Sequence, residues 1–266
     1  FSSSVDSLEI AIGRIPAKTS AEADTLVNKI IQYSLGNTKG SWQNQITWIA
    51  DDGDYNLHLQ DAESIIEGLQ KNNANWSHKK LYLDLYPANN AAGGLSYPLV
   101  VNEITQNVNN GSLVLNYTGH GNYLRLAEEA VINNESIKSW NNAGKLPLMI
   151  TASCDFAPYD QPQLNPIGFN TLMQNRNGII ALVAANRLVF AYSNKQINEQ
   201  FIQALLVPDK NGQYQPIGKA LQMAKNAGVR AFGVTYGAQK AEQWQHLEPL
   251  RQFNNFNSLS EWLFEA

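Results

Sequence analysis

The chain has 266 residues, of which 44% are hydrophobic and 16% are charged, and its formal net charge is −4 at neutral pH. This composition predicts a globular protein, and the length suits one large α/β domain or a large domain with a smaller one. The negative charge gives no electrostatic reason to expect a nucleic-acid partner. No apolar run approaches the roughly 20 residues that span a bilayer. The single cysteine excludes an intrachain disulfide.

The chain opens FSSSVDSLEI without a signal peptide, which predicts a cut point inside a longer protein or a processed product. A short strand is expected at Leu8–Ile12. The GRIPAKT segment that follows has neither the glycine nor the spacing of a nucleotide-binding phosphate loop, so it does not predict an ATPase. Thr19 or Ser20 is instead expected to cap a helix that runs to Leu35, with Glu22 in its first turn.

The next predicted strand, Gln45–Ala50, ends in the acidic run Asp51-Asp52-Gly53-Asp54. Three interpretations of this run stay open. It can be a turn-and-cap cluster, a calcium loop built from oxygen ligands, or the source of a carboxylate that orients a catalytic histidine. His58, seven residues beyond Asp51, is expected to lie on the surface, with a place in a pocket as the alternative.

Strands and helices alternate through most of the chain. After the first helix and strand, hydrophobic periodicity predicts helices at 61–70, 99–108, 129–140, 168–175, 194–206 and 217–227, and strands at 80–85, 113–118, 146–152 and 178–185. This alternation predicts an α/β fold, a doubly wound and mostly parallel sheet with helices on both faces.

Two of these strands end in one reactive side chain each, His120 after LVLNYTG and Cys154 after LPLMITAS. In open α/β sheets, ligands lie at the carboxyl ends of the strands, so pairing of these strands would bring the thiol and the imidazole together. A cysteine with a histidine can perform nucleophilic catalysis on an acyl carbon. The N–H groups of Gly121 and Cys154 could then hold the oxyanion. A buried structural cysteine and a hydrogen-bonded structural histidine are the alternatives.

The motifs YTGHG and the strand ending in Cys154 resemble the gingipain family, the caspase-like C25 cysteine peptidases. GRIPAKT, WIADDGDYNLHLQDAE, LPLMITASCDF and NRNGIIALVAANR resemble in particular the PorU branch of that family, the sortases of the type IX secretion system. The similarity runs over roughly residues 5–225. It implies one caspase-like peptidase domain over 1–266, as a fragment of a longer chain, with an uncertain C-terminal boundary at 230–266.

The resemblance also implies roles for individual residues. It favours Asp52 as the carboxylate that assists His120, and it places substrate-facing residues at Asn122 and in the loop after it. The positions of Asp155, Asn186 and Arg187 beside the predicted site make them candidate substrate contacts. Two of them have structural alternatives, since Asp155 could cap a turn and Arg187 could pair with a neighbouring loop.

The implied function is removal of the C-terminal secretion signal of exported cargo and attachment of that cargo to a lipopolysaccharide. The expected partners are this protein substrate and other type IX secretion components, at the cell surface or outer membrane. No cofactor is expected, a structural calcium ion is possible, and the histidine spacing does not predict zinc catalysis. Two alternatives are a non-catalytic binding module of the secretion machinery and a hydrolase of another acyl substrate, although no G-x-S-x-G motif favours a serine esterase.

Overall fold

The computed structural model describes residues 7–36, 38–91 and 94–237, with side chains to residue 228. The chain forms two compact units, Arg14–Lys195 and a second unit made of Phe1–Gly13 with Gln196–Ala266. The predicted C-terminal boundary at 230–266 lies almost entirely outside the described residues. Among the described helices, none has the length and hydropathy needed to cross a bilayer.

The unit Arg14–Lys195 is built on a five-stranded sheet in which every pairing is parallel. Strands are numbered in chain order, including those of two small hairpins outside this sheet. The five strands of the sheet are β1 (Gln45–Ala50), β2 (Ser77–Tyr82), β5 (Val114–Thr118), β8 (Leu148–Ala152) and β9 (Ala181–Ala184). Their order across the sheet is β2-β1-β5-β8-β9. Two small antiparallel hairpins accompany the sheet, β3 (Asn89–Ala91) with β4 (Gly94–Ser96) and β6 (Arg125–Leu126) with β7 (Ile132–Asn133).

Five helices belong to the same unit, α1 (Ser20–Leu35), α2 (Leu57–Asn72), α3 (Pro98–Asn110), α4 (Asn134–Lys138) and α5 (Ile167–Met173), and α2 to α5 lie between strands of the sheet. After the last strand the chain continues in α6 (Ala191–Leu206) and α7 (Ile217–Gly237). The chain steps from β1 to β2 in one direction and from β2 to β5 in the other, and right-handed crossovers then place α2 and α3 on opposite faces. The predicted α/β fold is therefore confirmed.

Side chains alternate between the two faces of the sheet, as strand geometry requires. Val100 and Ile104 of α3 pack in one cluster with Ile49 and Leu115 of the sheet. Ile65 of α2 is also fully buried but does not belong to that cluster. Burial on both sides explains why β1, β5 and β8 read as continuous apolar runs in the sequence.

The first helix begins where the sequence predicts, because Thr19 and Glu22 form a capping box. Its packing is less expected. The side chain of Lys29 is buried and donates two hydrogen bonds to backbone carbonyls. One carbonyl is that of Leu172, in the last turn of α5, and the other is that of Asn177, four residues after the helix ends. Most of the apolar residues that recur at helical spacing in α1 are exposed, with 48% exposure at Ile31.

Two predicted elements are wrong. The segment Leu8–Ile12 contains no strand, and Ile10 is 71% exposed, so it lacks the burial that a strand in this sheet would have. The predicted helix 129–140 is reduced to Asn134–Lys138, because Ile132–Asn133 pairs with β6 and the Asn133 side chain then caps the short helix.

Candidate active site

The register of β5 and β8 aligns the two residues that the sequence predicts to be reactive. Thr118 pairs with Ala152 at the end of the ladder, and the Gly119 N–H donates to the Ala152 carbonyl at 3.2 Å. His120 and Cys154 each follow two residues after that last pair. Both therefore lie at the carboxyl edge of neighbouring strands, which is where α/β sheets bind their ligands.

The glycines on either side of His120 allow the close approach of three loops. Gly119 has φ +155°, and a Cβ on it would collide with the Asp51 side chain. A Cβ on Gly121 would lie 3.1 Å from the Cβ of Ser153, the residue before the cysteine. The loop that carries His120 therefore rests directly against the turn that carries Cys154, and larger residues at these two positions would separate them.

The carboxylate at the His120 imidazole belongs to Asp54. Its Oδ2 lies 2.8 Å from His120 Nε2, and the hydrogen bond from this histidine holds the pKa of Asp54 below its usual value. Four consecutive residues, Gly53 to Asn56, have φ between +43° and +79°. Left-handed backbone is costly for residues other than glycine, and such strain gathers at functional sites. Here it turns the Asp54 side chain towards His120.

The other two carboxylates of the acidic run face elsewhere. Asp52, the predicted partner of His120, accepts a hydrogen bond from the Tyr97 hydroxyl at 2.7 Å. Asp51 is buried and accepts from the backbone N–H of His120 at 2.9 Å. Burial raises the pKa of Asp51 to about 7. Asp51 thus fixes the backbone of the histidine, while Asp54 contacts its ring.

The Cys154 sulfur contacts the backbone of the segment that follows β9. The Val189 N–H points at Sγ from 3.5 Å, and the thiol lies 3.5 Å from the Val189 carbonyl oxygen. The backbone of Val189 therefore contacts the sulfur with both its N–H and its carbonyl. Sequence reasoning named Asn186 and Arg187 in this segment and missed Val189, since a backbone contact leaves no signal in residue type.

The predicted oxyanion donors are available. Within the part of the chain that the structure describes, neither the Gly121 N–H nor the Cys154 N–H donates to another protein group. The neighbouring N–H of His120 is taken by Asp51, and that of Asn122 is taken by the Arg125 carbonyl. An acyl oxygen beside Cys154 could thus use these two amides without breaking an existing hydrogen bond.

Three predicted substrate contacts make internal hydrogen bonds. The Asn122 side chain accepts from the backbone N–H groups of Leu124 and Arg125 and shapes its own loop. Asn186 is buried and accepts from the Tyr159 N–H at 2.7 Å. The Asp155 N–H donates to the Arg187 carbonyl, and burial raises the pKa of the Asp155 carboxyl.

The fourth predicted contact, Arg187, forms an ion pair with Asp160. This corresponds to the alternative in which the guanidinium holds a neighbouring loop. Asp160 belongs to the proline-rich loop after Cys154, which a stacking contact also ties down, with the Arg14 guanidinium 4.1 Å from the centre of the Tyr159 ring. The loop beside the cysteine is therefore held from two sides.

His58 is a second histidine at the site, and its expected place on the surface is wrong. It is 4% exposed, its Nε2 lies 3.2 Å from Asp54 Oδ2, and its ring meets that of His120 edge-on at 5.2 Å between centres. The sequence carries no local signal for this contact, because His58 lies in the first turn of α2, whereas residues 54–56 have left-handed backbone and precede the helix.

Among the residues that the structure describes, two groups of side chains could hold a metal ion. Asp54, His58 and His120 place their ligand atoms within 4.8 Å of one another. A second group of three carboxylates meets the same limit, and carboxylate oxygens are the ligands that calcium takes. That group is formed by Asp51, Asp52 and Glu129.

Fold and site together define a class of protein, an α/β domain with a cysteine and a histidine on adjacent strand ends. A sequence model of peptidase family C25 matches residues 2–254. The chain belongs to this family. No curated protein sequence matches it.

Solved structures of the family show the same fold. The Arg-specific cysteine proteinase gingipain R (RgpB) superposes with a TM-score of 0.67 at 16% identity, covering 84% of this chain and 51% of that one. A complex of Porphyromonas gingivalis RgpB pro- and mature domains gives a TM-score of 0.64 at 16% identity, covering 86% and 52%. The present chain therefore spans about half the length of the structures it matches.

Proposed function

We propose that this chain carries the catalytic centre of a cysteine peptidase, with Cys154 as the nucleophile and His120 as the acid and base. The observation that carries the proposal is the register of β5 and β8, which aligns the two residues at one edge of the sheet. Membership of peptidase family C25 agrees with this assignment.

The arrangement supports a two-step reaction. The Cys154 thiolate attacks the scissile carbonyl, and the negative oxygen of the tetrahedral intermediate is held by the amides of Gly121 and Cys154. The C–N bond breaks as the His120 imidazolium gives its proton to the leaving amine, which leaves a thioester on Cys154. Asp54 contacts Nε2 of the ring and stabilises the imidazolium between these steps.

The thioester then reacts with a second nucleophile, and the identity of that nucleophile separates a hydrolase from a transpeptidase. Attack by water gives a free carboxylate, whereas attack by an amine gives a new amide. For this chain we favour the amine, so that cargo loses its C-terminal signal and is joined to a surface lipopolysaccharide, in contact with other type IX secretion components. The support is the resemblance of WIADDGDYNLHLQDAE to the PorU branch, since this segment supplies Asp54 and His58 to the site.

The test of the cysteine–histidine pair is alkylation by iodoacetamide from about pH 4 to about pH 10, which reports Cys154 alone because the chain has one cysteine. The native chain should react at neutral pH, and His120→Ala should lose that reactivity. Ordinary thiol behaviour in both chains would contradict the peptidase and favour a binding module.

The test of transpeptidation uses a peptide that ends in a type IX secretion signal, incubated with the chain with and without a primary amine. Mass spectrometry should find the amide product when the amine is present, and Cys154→Ala should form no product. Hydrolysis alone, at every amine concentration, would identify a hydrolase instead.

A further inference from the structure

The two histidines at the site converge on one carboxylate oxygen. Asp54 Oδ2 lies 2.8 Å from His120 Nε2 and 3.2 Å from His58 Nε2. The two rings meet at an interplanar angle of 88°. The proposed reaction needs only the contact between Asp54 and His120, so it gives His58 no task.

His58 is buried without a hydrogen bond. Neither ring nitrogen has a partner with hydrogen-bond geometry, and the 3.2 Å approach to Asp54 is close in distance but misaligned. An unsatisfied buried polar atom destabilises the folded chain, so a ligand that satisfied it would be favoured. Among the described residues, both ring nitrogens of His58 have no protein partner for a proton or a lone pair, and Nε2 faces the Asp54 carboxylate. An inward-facing, unprotonated imidazole is the form that binds metal ions.

The three side chains match the ligands of a transition-metal ion. Two imidazole nitrogens and one carboxylate oxygen are a common donor set for zinc, with bonds of about 2.0–2.1 Å. In a tetrahedron with such bonds the ligand atoms are roughly 3.3 Å apart. The two observed separations, 2.8 and 3.2 Å, are only slightly shorter. Small side-chain movements would therefore admit the ion.

The site is open on one side. The side chains of His120 and Asp54 are 57% and 47% exposed, whereas that of His58 is 5% exposed. An ion can approach from solvent, and water can occupy the fourth ligand position. The buried histidine would fix the ion from below.

We propose that Asp54, His58 and His120 bind a zinc-class divalent ion, which reversibly blocks the peptidase. The metal–nitrogen bond uses the Nε2 lone pair of His120, so the ring cannot carry the second proton of the imidazolium that serves the leaving amine. The ion also takes Asp54 away from the ring. Binding of the ion follows from the geometry alone, whereas the block rests on the proposed function.

The binding test is calorimetric titration of Zn²⁺ into the full chain carrying Cys154→Ala, so that the thiol cannot serve as a ligand. One ion should bind per chain. Removing an outer partner of a metal site typically weakens binding 10–100-fold. Loss of a direct ligand in His58→Gln or Asp54→Asn should therefore weaken it by at least about tenfold. His78→Gln is the matched control, because His78 contacts Trp48 on another strand pair and should leave the affinity unchanged.

Co²⁺ replaces Zn²⁺ in a second titration, in which intense visible absorption bands should report a tetrahedral site. Because His58 is buried, His58→Gln is first checked for an unchanged unfolding transition. If His58→Gln does not fold, Asp54→Asn gives an independent result, because Asp54 is exposed. Unchanged Zn²⁺ affinity in a folded His58→Gln or in Asp54→Asn would overturn the site.

The block is measured separately with Cys154 present. Zn²⁺ should slow peptide cleavage by the native chain. The same slowing of His58→Gln should need a Zn²⁺ concentration at least about tenfold higher. Normal cleavage by a chain with Zn²⁺ bound would overturn the block. If no chain cleaves peptide, the proposed function fails while the calorimetric result still decides the metal site.

Discussion

Replacing Asp54 by asparagine tests which carboxylate of the acidic run supports His120, the proposed acid and base. Asp54→Asn keeps the size of the side chain and removes its charge from His120 Nε2. Asp52→Asn is the matched control two residues away, because Asp52 contacts the Tyr97 hydroxyl, to which an asparagine can still offer an acceptor.

The exposure of the pair sets the size of the effect. A fully buried orienting carboxylate can contribute about 10⁴-fold to catalysis. The side chains of His120 and Asp54 are 57% and 47% exposed, so solvent screens their interaction. Exposed ion pairs contribute about 0.2–1 kcal/mol, which corresponds to a loss of no more than about fivefold.

The assay is the second-order rate constant for alkylation of Cys154 at neutral pH, with His120→Ala as the full-scale reference. Asp54→Asn should lower the rate by no more than about fivefold, and Asp52→Asn should not change it. A lower alkylation rate in Asp52→Asn, with an unchanged rate in Asp54→Asn, would refute the assignment of Asp54 as the carboxylate that contacts His120. A loss in Asp54→Asn as large as that in His120→Ala would refute the argument from exposure.

Three further perturbations test the surroundings of the site. Gly119→Ala should destabilise the fold by more than about 1 kcal/mol, because its φ of +155° disfavours a side chain and the new Cβ meets Asp51; an unchanged urea midpoint would contradict this clash. Arg187→Ala and Asp160→Ala should each lower the free energy of unfolding by about 0.2–1 kcal/mol, and the double variant should lose little more than either single variant. Additive losses in the double variant would show that the pair is not coupled. Burial lowers the pKa of Lys29 to about 7. Between about pH 7 and pH 10 the unfolded chain therefore carries a proton on this amine that the folded chain lacks. The free energy of unfolding should therefore rise with pH in this window, by at most about 1.4 kcal/mol per pH unit. Urea titrations of Lys29→Met should show a shallower rise, and a slope identical to that of the native chain would contradict the lowered pKa of Lys29.

Much of the fold can be predicted from the sequence, because burial on both faces leaves a strong local signature. The strands β1, β5, β8 and β9 are apolar runs bounded by turn residues, and three of the helices between them, α2, α3 and α5, follow the helical period. The failures lie where local pattern and tertiary context differ. The apolar run Leu8–Ile12 has no partner strand, and 129–140 is interrupted by a two-residue hairpin pairing.

The sequence by itself determines the parallel α/β scaffold and the two proposed catalytic residues, since a cysteine and a glycine-flanked histidine each follow a buried strand. It also limits the assisting carboxylate to a run of three aspartates. Only the tertiary structure decides among them. Consecutive left-handed residues turn Asp54 to the imidazole, leave Asp52 with Tyr97 and bring His58 to the same oxygen. Backbone dihedrals of a loop and contacts between residues 66 positions apart are set by packing of the whole sheet, and residue type alone does not encode them.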